Sequence, residues 1–313
     1  MAMTLLLLVL SHLFVPLVFI VAVGFGKSPS RVHWLSYLAL AVVYLLLIQQ
    51  AGAWIWLGGY WPWLFWAALA GSVVWFLVRR MPLLPPRPAW RAGTILSLGF
   101  NLAVLAALSV PAWSVLGARD VDARPVALQW PLAEGQYRVG QGGNSHVMNH
   151  HYGIDAQHHA IDVVRVGRFG LRTHGVVPSA LEDYQIWNSP VTAPCSGEVT
   201  NVETGFPDQT PPRSDRDNPA GNFVAIYCAD ATVVLAHLQD GSVSLEPGDR
   251  VQSGDLLGRV GNSGNTSEPH LHMHAVEGRV SQHDELMWEA NGLPMSFDGR
   301  YLVRNDVIRQ RGT

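Results

Sequence analysis

The chain has 313 residues, a formal net charge of −3 and 49% hydrophobic residues, room for one or two domains. Its first acidic residue is Asp120, so all 24 Asp and Glu lie from that point on and the C-terminal part is strongly acidic. Nucleic-acid binding normally shows as a basic patch, and that class is excluded. Ahead of Asp120 four apolar runs, 5–23, 35–53, 61–78 and 94–116, each come close to the ~20 residues that a helix needs to cross a bilayer. The first is too long for a signal-peptide core and has no basic segment before it, so it is expected to stay in the mature protein. Nine of the 12 tryptophans precede Asp120, and Trp54, Trp56, Trp61 and Trp63 cluster between the second and third runs. Such clustering suits an aromatic belt at a membrane interface and implies no cofactor. Lys27 and Arg31 follow the first run, no basic residue follows the second, and Arg79, Arg80, Arg87 and Arg91 follow the third. Basic loops stay in the cytoplasm, which puts the N-terminus and the C-terminal part both outside the cytoplasmic (inner) membrane, as four spans require. The spans hold no acidic residue and only scattered polar groups such as His12, Gln49, Gln50 and Asn101. That favours a multi-pass anchor in the lipid bilayer over a transport path.

Beyond 116 no long 3.6-residue periodicity remains. Short β-like runs broken by Gly, Pro, Asn and Asp follow at 160–166, 197–202, 222–228, 232–238, 256–260 and 270–276, the pattern of an all-β sandwich or barrel. The stretches 167–189 and 203–220 read as surface loops. The division predicted is 1–118 for a four-helix transmembrane anchor, 119–144 for a connector with the first strands, 145–280 for the β domain and 281–313 for a C-terminal extension. Cys195 and Cys228 each lie in or beside a predicted strand, placed to bridge neighbouring strands in an oxidising compartment, or else to remain two buried thiols.

Eleven of the 13 histidines fall between His146 and His283. In Pro269-His270-Leu271-His272 the two histidines are spaced i, i+2, which on a strand points both to one face. Upstream lie His158 with Asp162, and His237 in Leu235-Ala236-His237-Leu238. Imidazoles with a carboxylate are good ligands for Zn²⁺, and a catalytic zinc takes three protein ligands and leaves a fourth position open. Within the chain, His151 and Asp155 repeat the i, i+4 spacing of His158 and Asp162. An apolar strand follows Asp162 and not Asp155, which makes Asp162 the carboxylate ligand.

In order, His-x-x-x-Asp, Ala193-Pro194-Cys195-Ser196-Gly197-Glu198-Val199, Gly221-Asn222-Phe223-Val224, Ala236-His237-Leu238, Pro247-Gly248-Asp249, Gly261-Asn262-Ser263-Gly264 and Pro269-His270-Leu271-His272 resemble the lysostaphin-type zinc endopeptidases, the M23 peptidases. The resemblance covers roughly 145–278 and leaves out the apolar runs. It implies an antiparallel β-sheet groove that holds one zinc and hydrolyses peptide bonds in the cross-links or stems of peptidoglycan. By position, Asp162 and His272 match the family's metal ligands, and His237 and His270 match its two catalytic histidines that are not ligands. Spacing favours His158 as the remaining ligand. Asn149-His150-His151, followed by Gln157, resembles a divergent branch in which an upstream Asn-x-His supplies it, and His151 and His158 both stay open. The chain departs from the family at Glu268, where Gly is usual, at His274, where Glu is common, and in the insertion 167–189.

The chain is therefore read as a membrane-anchored zinc endopeptidase whose external domain acts on peptidoglycan or another peptide, with a regulatory membrane partner as a further expectation. The rival is a non-hydrolytic relative of the same fold that binds cell wall or activates another hydrolase. Such relatives usually lose metal ligands, and this sequence keeps a full set. A biotinyl or lipoyl carrier, suggested by 247–260, fails because the chain's one lysine is Lys27.

Overall fold

The computed structural model describes residues 2–311. They divide into two compact units, Met1–Trp54 with Gly59–Leu116, and Ile55–Gly58 with Gly117–Thr313.

The first unit is helical. Four helices, Leu5–Phe25, Arg31–Ala51, Trp61–Arg79 and Ala92–Arg119, are long and apolar enough to cross a membrane. The first contains a π-helical turn at Leu10–Phe14. Ser30 caps Arg31–Ala51 by accepting the His33 N–H at 3.3 Å, and Pro62 opens Trp61–Arg79, where a missing N–H costs nothing. Large apolar side chains such as Phe14, Val18, Val78, Phe100 and Trp113 face outward, an apolar surface that suits lipid rather than water. The polar groups inside are paired across helices: Trp34 Nε1 donates to the Val23 carbonyl at 2.9 Å, Asn101 Nδ2 to Ser36 Oγ at 2.8 Å, and buried His33 meets Ser97 Oγ at 3.0 Å.

The second unit is built from strands β1 (Val126–Leu128), β2 (Gly135–Gln141), β3 (Ile161–Arg165), β4 (Pro190–Thr192), β5 (Gly197–Glu203), β6 (Asn222–Cys228) and β7 (Ala231–Leu238). They are followed by β8 (Arg250–Val251), β9 (Leu256–Arg259), β10 (Leu271–Glu277), β11 (Gly292–Leu293), β12 (Met295–Phe297), β13 (Arg300–Tyr301) and β14 (Val307–Gln310). The main sheet is antiparallel with the order β14-β2-β3-β10-β7-β6-β5-β8, and β11 adds to β10. One face of this sheet carries Ile161, Val163, Val233, Leu235, Leu271 and Met273, which pack with Val191 of β4 and Leu257 of β9 in the main core. The opposite face carries the histidines of β10 and a smaller cluster in which Phe223, Val234, Ala236 and Val276 meet Ala156, Leu286 and Met287. Strand alternation thus sends Leu271 and Met273 one way and His270, His272 and His274 the other. The register sets Asp162 of β3 and Ala236 of β7 on either side of His272.

Cys195 and Cys228 form a disulfide with Cα atoms 6.2 Å apart, closing 33 residues that include β5 and β6. Exchanging both for Ser removes the loop constraint on the unfolded chain and is expected to cost about 2–4 kcal/mol. Pulse proteolysis of the C-terminal unit in the full chain across a urea series reads that loss as an earlier midpoint, and an unshifted midpoint would contradict it.

Candidate metal and catalytic site

Asp162 is the hub. Register opposes it to His272, whose Nδ1 lies 2.9 Å from Asp162 Oδ1. His151 Nε2 lies 3.1 Å from both carboxylate oxygens. His151 rides on a one-turn 3₁₀ helix, His150–Gly153, whose N-cap is Asn149. The fully buried Asn149 amide clamps that turn to the strand it must face. Its Oδ1 accepts the His151 N–H at 3.1 Å, while its Nδ2 donates to the carbonyls of His158 and Ala160 at 3.2 and 3.1 Å.

Of the two candidates left open by sequence, the structure brings His151 to Asp162 and takes His158 elsewhere. His158 Nε2 meets Asn144 Oδ1 at 3.0 Å, and its ring lies against Tyr152 with centroids 4.1 Å apart. His150 adds a further nitrogen: one donor atom each from His150, His151 and Asp162 lie within 4.8 Å of one another, placed to hold a metal ion. Two imidazole nitrogens and a carboxylate brought together in this way are the donor chemistry of a zinc site, so the residues fit the metal that the sequence implies.

His237 and His270 stand beside this group with ring centroids 4.7 Å apart. The backbone of His237 is in the left-handed region, φ +60°, at the end of β7, a strained setting that recurs at active sites. Its Nδ1 donates to the Ser263 carbonyl at 2.9 Å. His270 Nδ1 donates to the Glu268 carbonyl at 2.9 Å, and its Nε2 lies 3.7 Å from Asp162 Oδ1. Both rings are therefore held by Nδ1, which leaves each Nε2 free of the backbone. Cavities of about 170 and 240 Å³ open on the group. His151 and His237 line both, Met287 and Trp288 wall the first, and Ile55, Trp56, Thr266 and Glu268 wall the second.

Burial sets the protonation of these groups. It pushes His272 down to about 3 and His274 to about 4, and holds His237 well below the ordinary histidine range. Burial alone would raise the Asp162 carboxyl, but nearby His151 and His270 and the close approach of the His151 and His272 rings outweigh it and hold it well below the usual range. The site thus centres on an ionised carboxylate.

Two residues that depart from the family pattern meet each other. Glu268 accepts a forked pair from Arg172, with Nε to Oε1 at 2.7 Å and Nη2 to Oε2 at 2.6 Å, and both residues are buried. Arg172 lies in the stretch 167–189, which therefore packs inward through Arg172, Tyr184 and Ile186 and is more than a surface loop. Trp56, read from sequence as part of a membrane belt, packs with this unit and covers the Arg172 guanidinium at 3.6 Å from its ring centroid. Sequence reasoning also missed Asn149 as the clamp and Met287 and Trp288 as walls. The signal for Arg172 was Glu268 itself, since a carboxylate next to a buried histidine pair needs a cation, but spacing could not say which arginine supplies it.

Residues 183–283 match the family model of Peptidase family M23. Endolysin 2638A of Staphylococcus phage 2638A is 34% identical over 100 residues, 31% of this chain and 20% of the endolysin. The chain thus spans about a fifth of the curated relative that it matches. Similar solved structures include a zinc-containing peptidase from Vibrio cholerae (18% identity, 37% of this chain, 26% of that one, TM-score 0.23). The SpoIIQ–SpoIIIAH pore-forming complex (21%, 42% and 65%, TM-score 0.26) and the catalytic domain of lysostaphin from Staphylococcus simulans (18%, 49% and 82%, TM-score 0.26) are further examples. Scores of this size add nothing to the topology described above.

Replacing Arg172 with Ala leaves Glu268 buried without its cation, and a loss of about 3–5 kcal/mol is expected. Chemical denaturation of the C-terminal unit checks this, and a loss under about 1 kcal/mol would show the pair to be dispensable. Acid should also weaken the unit. His272 (about 3), His274 (about 4) and His159, pushed by burial to about 4, titrate lower when folded than the ordinary ~6.5 of the unfolded chain. The unfolded state then binds more protons, so their contribution is complete above about pH 6.5 and is lost as pH falls towards 4. The thermal midpoint of chelator-treated full chain should fall between pH 7.5 and 4.5, and a level midpoint would contradict the burial argument.

Proposed function

We propose that the C-terminal unit is a zinc-dependent endopeptidase that cuts peptide bonds in peptidoglycan, held at the outer face of the cytoplasmic membrane by the four apolar helices. The observation that carries this is the approach of His151 Nε2 (3.1 Å) and His272 Nδ1 (2.9 Å) to the Asp162 carboxylate, beside two histidines whose Nδ1 atoms are tied to backbone carbonyls. His151, Asp162 and His272 would hold the metal. Zinc, when bound, supplies Lewis acidity that polarises a peptide carbonyl and makes water a nucleophile near neutral pH.

The rest falls to the chain's own side chains. With Nδ1–H of His237 and His270 tied to the Ser263 and Glu268 carbonyls, both rings meet the groove as proton acceptors at Nε2. The imidazole that takes the water's proton then holds the proton that the departing amine needs, while its neighbour steadies the tetrahedral oxyanion once protonated. No His-Glu-x-x-His helix is present in the sequence to supply a glutamate for this role. The family match over 183–283 and the endolysin relative support a cell-wall peptide as substrate. The sequence's lack of intramembrane acids supports an anchoring role for the helices.

Mass spectrometry of purified sacculi incubated with full chain in detergent, with zinc and with a chelator, tests this. New peptide termini that vanish on chelation are expected. His272→Ala and Asp162→Ala should lose zinc and turnover together, whereas His237→Ala and His270→Ala should keep zinc and lose turnover by about 10²–10⁴-fold. An unchanged digest from folded, zinc-loaded chain would reject the cell-wall substrate. Loss of zinc from His270→Ala with retention in His272→Ala would reverse the two roles.

A further inference from the structure

His274, two residues beyond His272 on the same face of β10, is buried and touches only groups inside the fold. Its Nδ1 lies 3.0 Å from His272 Nε2, and its Nε2 lies 2.9 Å from the Leu286 carbonyl. A carbonyl can only accept, so the Nε2 of His274 carries its proton. A metal held at His272 Nδ1 leaves that ring its proton on Nε2, and this N–H faces His274 Nδ1, which the Nε2–H bond to the Leu286 carbonyl leaves as the acceptor. The proton of His272 is thereby fixed on Nε2, and its Nδ1 is left as a lone pair aimed at the Asp162 carboxylate 2.9 Å away. An imidazole lone pair and a carboxylate oxygen held that close in a buried site call for a cation between them. We propose that His274 is a positioning residue that sets the tautomer of His272 for metal binding, and that the chain's C-terminal part supplies the last group of the relay. The proposal rests on the zinc reading above.

The last group comes from an unusual turn. Leu286 belongs to the π-helical turn Glu285–Glu289, which lies beyond the stretch 183–283 that matches the family. Leu286 and Met287 are buried against Ala156, Val234 and Ala236. The same turn receives a second side chain from the metal-facing layer, since Gln157 Nε2 donates to the Met287 carbonyl at 2.9 Å. Gln157 sits in the segment that Asn149 ties back to the His151 turn. One short turn therefore braces two of the histidines that face Asp162, His272 through His274 and His151 through the 149–160 segment. π-Helical turns of this kind recur at functional sites because the altered pitch redirects backbone carbonyls.

The test uses full chain in detergent, with zinc as the probe. In zinc-loaded chain labelled with ¹⁵N-histidine, a scalar coupling across the hydrogen bond from His272 Nε2 to His274 Nδ1 is expected. Its absence, or zinc bound at His272 Nε2, would overturn the proposal without recourse to any variant. His274→Leu removes the acceptor at similar size, and its zinc dissociation constant, read by competition with a fluorescent chelator, should rise about 10–100-fold. His274→Asn places a carbonyl oxygen where Nδ1 was, keeps the acceptor for His272 and should recover most of that loss. Affinity unchanged in His274→Leu, or no better in His274→Asn than in His274→Leu, would show that the residue only fills space. Should His274→Leu fail to fold, by near-UV circular dichroism with chelator present, the His274→Asn affinity and the coupling decide. Zinc stoichiometry of the unchanged chain separates the two readings. Less than one equivalent sinks the zinc site itself, whereas one equivalent with no effect at position 274 sinks only the present inference.

Discussion

A buried, ionised Asp162 is the constraint around which the C-terminal unit is arranged. An isolated carboxylate in that position would cost several kcal/mol, and no Lys or Arg is paired with it among the described residues. Three imidazoles are placed against it instead, and each requires its own support. The β3–β10 register delivers His272, the Asn149 clamp delivers His151, and the Glu268 carbonyl orients His270. An ionised carboxylate ringed by imidazole nitrogens is a donor set that a divalent cation would complement.

The same reasoning explains why the chain's departures from the family pattern occur together. A glutamate placed two residues before His270 would add a second anion to an anionic site if left unpaired. The inserted stretch 167–189 brings Arg172 to it in a forked, buried pair, and Trp56 covers the guanidinium face. The pair keeps Glu268's side chain engaged away from the metal-facing group while its backbone carbonyl stays free for His270. Exchanging the commoner glutamate at position 274 for a neutral histidine likewise removes a negative charge next to His272. These changes keep further unpaired anions away from Asp162 while altering the groups that wall the site.

How far the sequence discloses this arrangement depends on the range of the interaction. Apolar runs of bilayer length and the period-2 strands 222–228 and 232–238 are local properties, and the corresponding helices and strands lie within about four residues of their predicted places. The i, i+2 histidines of β10 are legible for the same reason. β14 was not, because it is a polar edge strand, and β2 was placed only within the stretch 119–144, since Gln136-Tyr137-Arg138-Val139 is too short an alternation to set its bounds. The partner of Asp162 was not legible either. Spacing of i, i+4 has no privileged meaning off a helix, and His151 reaches Asp162 across eleven residues because a 3₁₀ turn and the Asn149 amide fold that stretch back on β3.

The C-terminal extension shows the limit most clearly. Nothing in the composition of 281–313 marks it as part of a metal site, and its contribution is made by backbone carbonyls, which carry no sequence signature. Yet a ligand histidine is useful only in one tautomer, and in a dry interior water cannot supply the missing acceptor. Some fixed dipole must receive the far N–H, directly or through a relay. With a carboxylate at position 274 that demand would end at the side chain. With an imidazole there it is passed on, and a second acceptor has to be built. The buried Leu286 and Met287 side chains hold the Glu285–Glu289 turn where its carbonyls can serve, so the packing of this small apolar cluster and the tautomer of His272 are two aspects of one arrangement.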